Sequence, residues 1–148
     1  MRNKIKVPFA RVPVGENEFK YVKEVLESGW LTTAGKAMLF EQKFAEQVEA
    51  KYACAVNSCT AALHLGIEAL GVKPGDKVFV QSMTFTASAE VIRYMGAHPV
   101  FLDTEYGTNL ITPEILTEAI RQNPDTRYLV VVHYGGQAAE MISDHKEG

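Results

Sequence analysis

Apolar positions along the chain change their period near residue 52, and the change divides the sequence into two kinds of structure. Between Glu16 and Ser28, Phe19, Val22, Val25 and Leu26 recur three or four residues apart, the stripe of an amphipathic helix. Gly29 follows where a left-handed cap would end it. Residues 29–35, Gly-Trp-Leu-Thr-Thr-Ala-Gly, break the period and place the only tryptophan, Trp30, in a glycine-bounded loop. Leu39, Phe40, Phe44 and Val48 then resume helical spacing and predict a second helix up to about Ala50.

From Tyr52 onward short apolar runs alternate with helical stripes. The pattern predicts a strand over residues 52–57, a helix over 60–70 closed by Gly71, and a turn at Lys73-Pro74-Gly75-Asp76. A strand over 78–81 follows, then a helix carrying Ala87, Val91, Ile92 and Met95 and ended by Gly96, then a strand over 99–103. Thr112 and Pro113 form an N-cap with proline at the first helical position, so a helix runs over 113–121 and stops at Asn123-Pro124. The β-branched run over 128–132 reads as a strand buried on both faces. Strands alternating with helices predict an α/β fold, a three-layer α/β/α arrangement around a mostly parallel sheet. Residues 1–51 form a helical segment with a loop, and 52–148 the α/β part of one structural unit. Ligands of such sheets gather at the carboxyl ends of the strands, which here means residues 57–60, 82–86, 103–106 and 133–137.

Composition narrows the function. The chain has 148 residues, a length suited to one domain with a real core. Its 15 basic and 18 acidic side chains give a net charge of -3, with no basic stripe to follow a nucleic-acid backbone. Apolar runs fall well short of the roughly 20 residues a membrane-spanning helix requires. The cations of residues 1–6 are not followed by an apolar run of signal-peptide length, so a soluble, cytoplasmic protein is expected. Cys54 and Cys59 have no partners at metal-ligand spacing, and His64, His98, His133 and His145 are scattered, so no metal site is expected.

The segment with the clearest chemistry is Asn57-Ser58-Cys59-Thr60-Ala61-Ala62, where an apolar run passes through small hydroxyl residues into a helix. The free N–H groups of a first helical turn, with the helix dipole behind them, form a site for an anion such as a phosphate. Ser58 and Thr60 could add hydroxyl donors, and Ala61 leaves the backbone open to close approach. The same residues also read as an ordinary helix cap. Phe85, just after a strand, reads from the residues alone as ordinary core packing.

Six ordered blocks raise the specificity of this reading. They are Gly29-Trp30-Leu31-Thr32-Thr33; Lys51-Tyr52-Ala53 with residues 56–65; Pro74-Gly75-Asp76; Thr84-Phe85-Thr86-Ala87; Gly96-Ala97 with Pro99-Val100-Phe101; and His133-Tyr134-Gly135-Gly136-Gln137. Their order and spacing resemble the DegT/DnrJ/EryC1/StrS sugar aminotransferases, fold type I enzymes that use pyridoxal 5'-phosphate to convert keto groups on nucleotide-linked sugars to amines. The resemblance implies that Thr60 and Ala61 hold the cofactor phosphate, beside the Ser58 donor read from the helix entry, and that Phe85 stacks on the pyridine ring; Gln137, where the chain leaves the last strand, is placed to touch cofactor or substrate. It implies that Trp30, Leu31, Thr32 and Thr33 line a sugar-nucleotide entrance. Tyr134 reads as packing, and Cys59 stands where many relatives have glycine.

Pyridoxal-phosphate chemistry also requires a lysine that holds the cofactor covalently and a carboxylate at the pyridinium nitrogen. The resemblance places both beyond this stretch of the family's sequence, and no lysine present sits in an apolar context. Asp103 reads as a strand-end residue rather than the pyridinium partner. The expectation is an incomplete large domain, truncated and inactive alone, whose uncovered apolar surface favours a homodimer or higher oligomer. The alternative is a non-catalytic α/β module that binds a nucleotide phosphate. A dinucleotide oxidoreductase is disfavoured, because residues 57–61 lack the glycine fingerprint of such a turn.

Overall fold

The computed structural model of the chain describes residues 11–141, so the basic N-terminal stretch and the polar ending over 142–148 lie outside the described residues. The chain divides into two compact units with the boundary between Ala55 and Val56.

The N-terminal unit holds α1 (Glu16–Ser28) and α2 (Gly35–Gln47). Gly29 ends α1 with φ +70°, the left-handed stop expected there. Glu18 reaches back to the Gly15 amide at 2.7 Å and closes the first turn, and hydrogen bonds from its own backbone amide and then from Gly15 hold its carboxyl below the usual range. The apolar stripes are present but largely uncovered: Phe19, Val22, Leu26, Leu39, Phe40 and Phe44 are all exposed. Glu24 and Lys36 form an ion pair between the helices, and the Lys36 ammonium lies 4.6 Å from the Tyr21 ring centroid.

The C-terminal unit contains α3 (Cys59–Ala69), β1 (Lys77–Gln81), α4 (Ala87–Tyr94), β2 (His98–Leu102), α5 (Pro113–Gln122), β3 (Tyr128–Val130) and a 3₁₀ turn at Tyr134–Gly136. The three strands are parallel in the order β2-β1-β3, with Phe79 opposite both Val100 and Leu129. Side-chain alternation along β1 makes the layers. Val78 and Val80 face a core with Ile67, Val72, Val91, Ile92 and Ala97, contributed from α3, α4 and the segments that follow them. Phe79 faces the other way, onto Leu102, Ile111 and Ala119 beneath α5. β3 is divided likewise, Tyr128 and Val130 packing on the first core and Leu129 on the second. This is the expected α/β/α layering. Burying a valine or isoleucine as completely as Val80 or Ile92 stabilises the fold by about 1.5–3 kcal/mol each, against about 1 kcal/mol for a typical helix cap.

Two expectations are corrected. Residues 52–57 form no strand, because no ladder partner for them exists among the described residues: Tyr52 and Val56 are exposed, and the Ala55 amide donates to the Glu41 carboxylate at 2.8 Å. The last strand is shorter than predicted, ending at Val130, and its residues are half-buried.

Candidate functional site

The carboxyl ends of the strands gather around one side chain. Gln81, the last residue of β1, is fully buried. Its Nε2 donates to Met83 O at 2.9 Å and, more weakly, to Asn109 O at 3.4 Å. Its Oε1 accepts from the Val132 amide at 3.1 Å. The adjacent Ser82 amide donates to Leu102 O at 2.8 Å. The loops after all three strands therefore meet at this point. Sequence reasoning passed over Gln81, although one polar residue closing the apolar run Val78-Phe79-Val80 is a signal.

The start of α3 is partly capped. Ser58 Oγ accepts from the Ala61 amide at 3.1 Å, and Ser58 O accepts from the Ala62 amide at 3.1 Å. The amides of Cys59 and Thr60 have no acceptor among the described residues, and neither does the Thr60 hydroxyl. The cap is therefore formed, with the Ala61 amide occupied by Ser58, while the two amides before it are open. An anion at this turn meets those donors and the positive end of the dipole. The residues present thus suit a phosphate group.

Phe85 lies in the loop between β1 and α4 and is 79% exposed, so it is not core. Its ring is available to stack on a planar ligand. Behind it Thr84 Oγ1 and Ser88 Oγ share a hydrogen bond of 2.8 Å, and the Ser88 amide donates to Phe85 O at 3.0 Å, which fixes the backbone that carries the ring. Beyond β3, Gly135 and Gly136 take φ +64° and +82°, and this left-handed pair turns the chain to an exposed Gln137. His133 Nδ1 accepts from the Ala139 amide at 3.0 Å and holds the far side of the same turn. Tyr134, read as packing, is exposed instead. Asp103 accepts from its neighbour Thr104 at 2.9 Å, a local strand-end contact.

Trp30, Leu31, Thr32 and Thr33 belong to the N-terminal unit and are exposed. The Trp30 indole N–H donates to Thr33 O at 3.4 Å, and its amide donates to Ser28 Oγ at 3.2 Å, so the loop is folded on itself with the aromatic face outward. Every lysine among the described residues is exposed. Among those residues no group of His, Cys, Asp or Glu side chains is arranged to hold a metal ion, and no helix is long and apolar enough to cross a membrane.

Comparison with known proteins identifies the family and the fold. The profile of the DegT/DnrJ/EryC1/StrS aminotransferase family matches residues 13–145. The spore coat polysaccharide biosynthesis protein SpsC of Bacillus subtilis (strain 168) is 44% identical over 135 residues, covering 91% of this chain and 34% of SpsC. A putative sugar aminotransferase, Spr1654 from Streptococcus pneumoniae, solved in its PMP form, superposes with a TM-score of 0.82 at 34% identity, covering 92% of this chain and 34% of that one. GDP-4-keto-6-deoxymannose-3-dehydratase, solved with a trapped PLP-glutamate geminal diamine, superposes with a TM-score of 0.79 at 27% identity, covering 86% and 34% of the respective chains. The chain thus spans about a third of the length of each of these relatives.

Proposed function

This chain belongs to the DegT/DnrJ/EryC1/StrS aminotransferase family, and from that premise we propose that it forms the phosphate- and ring-holding part of a pyridoxal 5'-phosphate enzyme acting on nucleotide-linked keto sugars. The observation that carries the reading is the pair of open amides at Cys59 and Thr60, in the same compact unit as an exposed Phe85. The Cys59 and Thr60 amides and the Thr60 hydroxyl bind the phosphate. The Ser58 hydroxyl, which accepts from the Ala61 amide and donates to Asn57 Oδ1 at a long 3.4 Å, keeps the Ala61 amide satisfied and turns its one proton from Asn57 to the phosphate. Phe85 covers one ring face and excludes water from it, and Gln137 offers an amide to cofactor or substrate. Trp30, Leu31, Thr32 and Thr33 meet the sugar nucleotide. When bound, the cofactor supplies an electron-withdrawing ring that stabilises a carbanion at the amine-bearing carbon.

The lysine and the pyridinium carboxylate that this chemistry requires are assigned to no residue here, so residues 11–141 bind without transaminating. The protein acts in the cytoplasm as a homodimer or higher oligomer. Support for self-association comes from the groove of about 480 Å³ on the N-terminal unit, walled by Val22, Val25, Leu26, Leu39 and Phe40.

Titration with pyridoxal phosphate, inorganic phosphate and a nucleoside diphosphate, followed by calorimetry, tests the reading. Pyridoxal phosphate should bind more tightly than phosphate, with a shift in its absorbance, and borohydride treatment should label no lysine. Tight binding of the nucleotide with none of pyridoxal phosphate would point to the non-catalytic module instead. Stoichiometric labelling of one lysine would overturn the assignment of a binding role alone.

A further inference from the structure

A glutamine side chain has two N–H donors and one carbonyl acceptor, and at Gln81 all are used on main-chain groups of other segments. Those groups belong to separate loops. Met83 precedes Phe85 by two residues in the loop after β1. Asn109, whose φ of +58° puts a non-glycine residue in the left-handed region, lies in the loop after β2. Val132 opens the segment after β3 that runs to Gln137. Neighbouring loops in a sheet ordinarily communicate through their strands, but β3 ends at Val130, so its ladder does not reach residue 132. The Gln81 amide takes over at Val132, two residues beyond the last paired residue of β3. Full burial keeps water from substituting for it, and an apolar side chain of the same size would orphan Val132 N–H and Met83 O.

We infer that Gln81 is a positioning residue, which fixes the loop carrying Phe85 relative to the loop carrying Gln137 so that a ligand held by the first orders the second. The ligand-linked half of this inference rests on the function proposed above. The mechanical half does not.

Hydrogen exchange on the full chain separates the two halves. Without ligand, Gln81→Met should speed exchange at Val132 and across residues 82–86 and 105–110 at least tenfold, while amides over 117–121 of α5 change less than threefold. Unchanged exchange at Val132, or an equal acceleration throughout the unit, would reduce Gln81 to a space-filler and overturn the inference. Should Gln81→Met fail to fold, Gln81→Glu retains the acceptor and loses both donors. It should keep Val132 protected and loosen only 82–86 and 105–110, and a uniform response of the three segments would again overturn the inference. With saturating pyridoxal phosphate, the wild-type chain should gain protection over 133–137 and induce circular dichroism in the bound chromophore. In the Gln81 variant both effects should fall severalfold while protection at residues 59–62 persists; equal effects in the two proteins would refute the coupling. If the wild type binds no pyridoxal phosphate, the function proposed above fails, and the ligand-free arm still decides the role of Gln81.

Discussion

The hydroxyl of Ser58 accepts the Ala61 amide at 3.1 Å, and this one bond decides which donors of the first turn of α3 remain open. Replacing Ser58 by alanine should cost about 1 kcal/mol of stability in urea unfolding, the usual worth of such a cap. It should also weaken pyridoxal phosphate binding through loss of a hydroxyl. Thr60→Val separates the effects, because the Thr60 hydroxyl has no partner among the described residues. Stability should change by less than about 0.5 kcal/mol while phosphate affinity falls.

Phe85 should contribute to binding and hardly at all to stability, since its ring is exposed. Phe85→Ala should weaken pyridoxal phosphate roughly threefold to tenfold, the equivalent of about 0.5–1.5 kcal/mol for an aromatic pair. Affinity for inorganic phosphate should not change, and parallel titrations with the two ligands check this.

Gly96 and Gly71 make a matched pair for backbone strain. Gly96 has φ +69° and an added Cβ would lie 3.2 Å from Pro74 Cβ, whereas Gly71 has φ +81° and open space around it. Gly71→Ala should lose only the left-handed penalty of about 1–2 kcal/mol. Gly96→Ala should lose more, because it also disturbs the turn in which the Gly75 amide donates to Gly96 O at 3.0 Å. Equal midpoints in denaturant for the two variants would contradict the packing argument.

Glu118 should titrate far below an ordinary glutamate. Hydrogen bonds from Arg121 at 2.7 and 2.8 Å, then from Gln122 at 2.6 Å, lower its carboxyl from 4.5 to about 2. A depressed folded-state value means that the contribution is complete above about pH 4.5 and is lost as the pH falls towards 2. The group is exposed on α5, so the effect is small and weakened by salt. Carboxyl chemical shifts followed by NMR should place the midpoint near 2, and Glu118→Gln should remove this acid dependence.

Much of the fold follows from local pattern. The stripes of Val91 and Ile92, the Thr112-Pro113 start, the stop at Gly29 and the alternation Val78-Phe79-Val80 fix helices and strands through periods and caps that depend only on neighbouring residues. The same local logic made residues 57–62 legible as a hydroxyl-rich helix entry, and the ordered blocks carried the family.

What the sequence alone determined, then, was most of the element types, the α/β layering and the hydroxyl-rich entry to α3, since each is written in short-range spacing. The tertiary structure alone decided the rest. Residues 52–57 have strand-like composition, but a strand exists only with a hydrogen-bonding partner, and none of the described residues supplies one. Phe85 is as apolar as any core residue, and only the path of its loop leaves it exposed. Gln81 reads in sequence as a strand end, whereas in the fold its amide holds main-chain groups of Asn109 and Val132, 28 and 51 residues away, as well as nearby Met83, because the use of a buried polar group depends on what the fold brings to it.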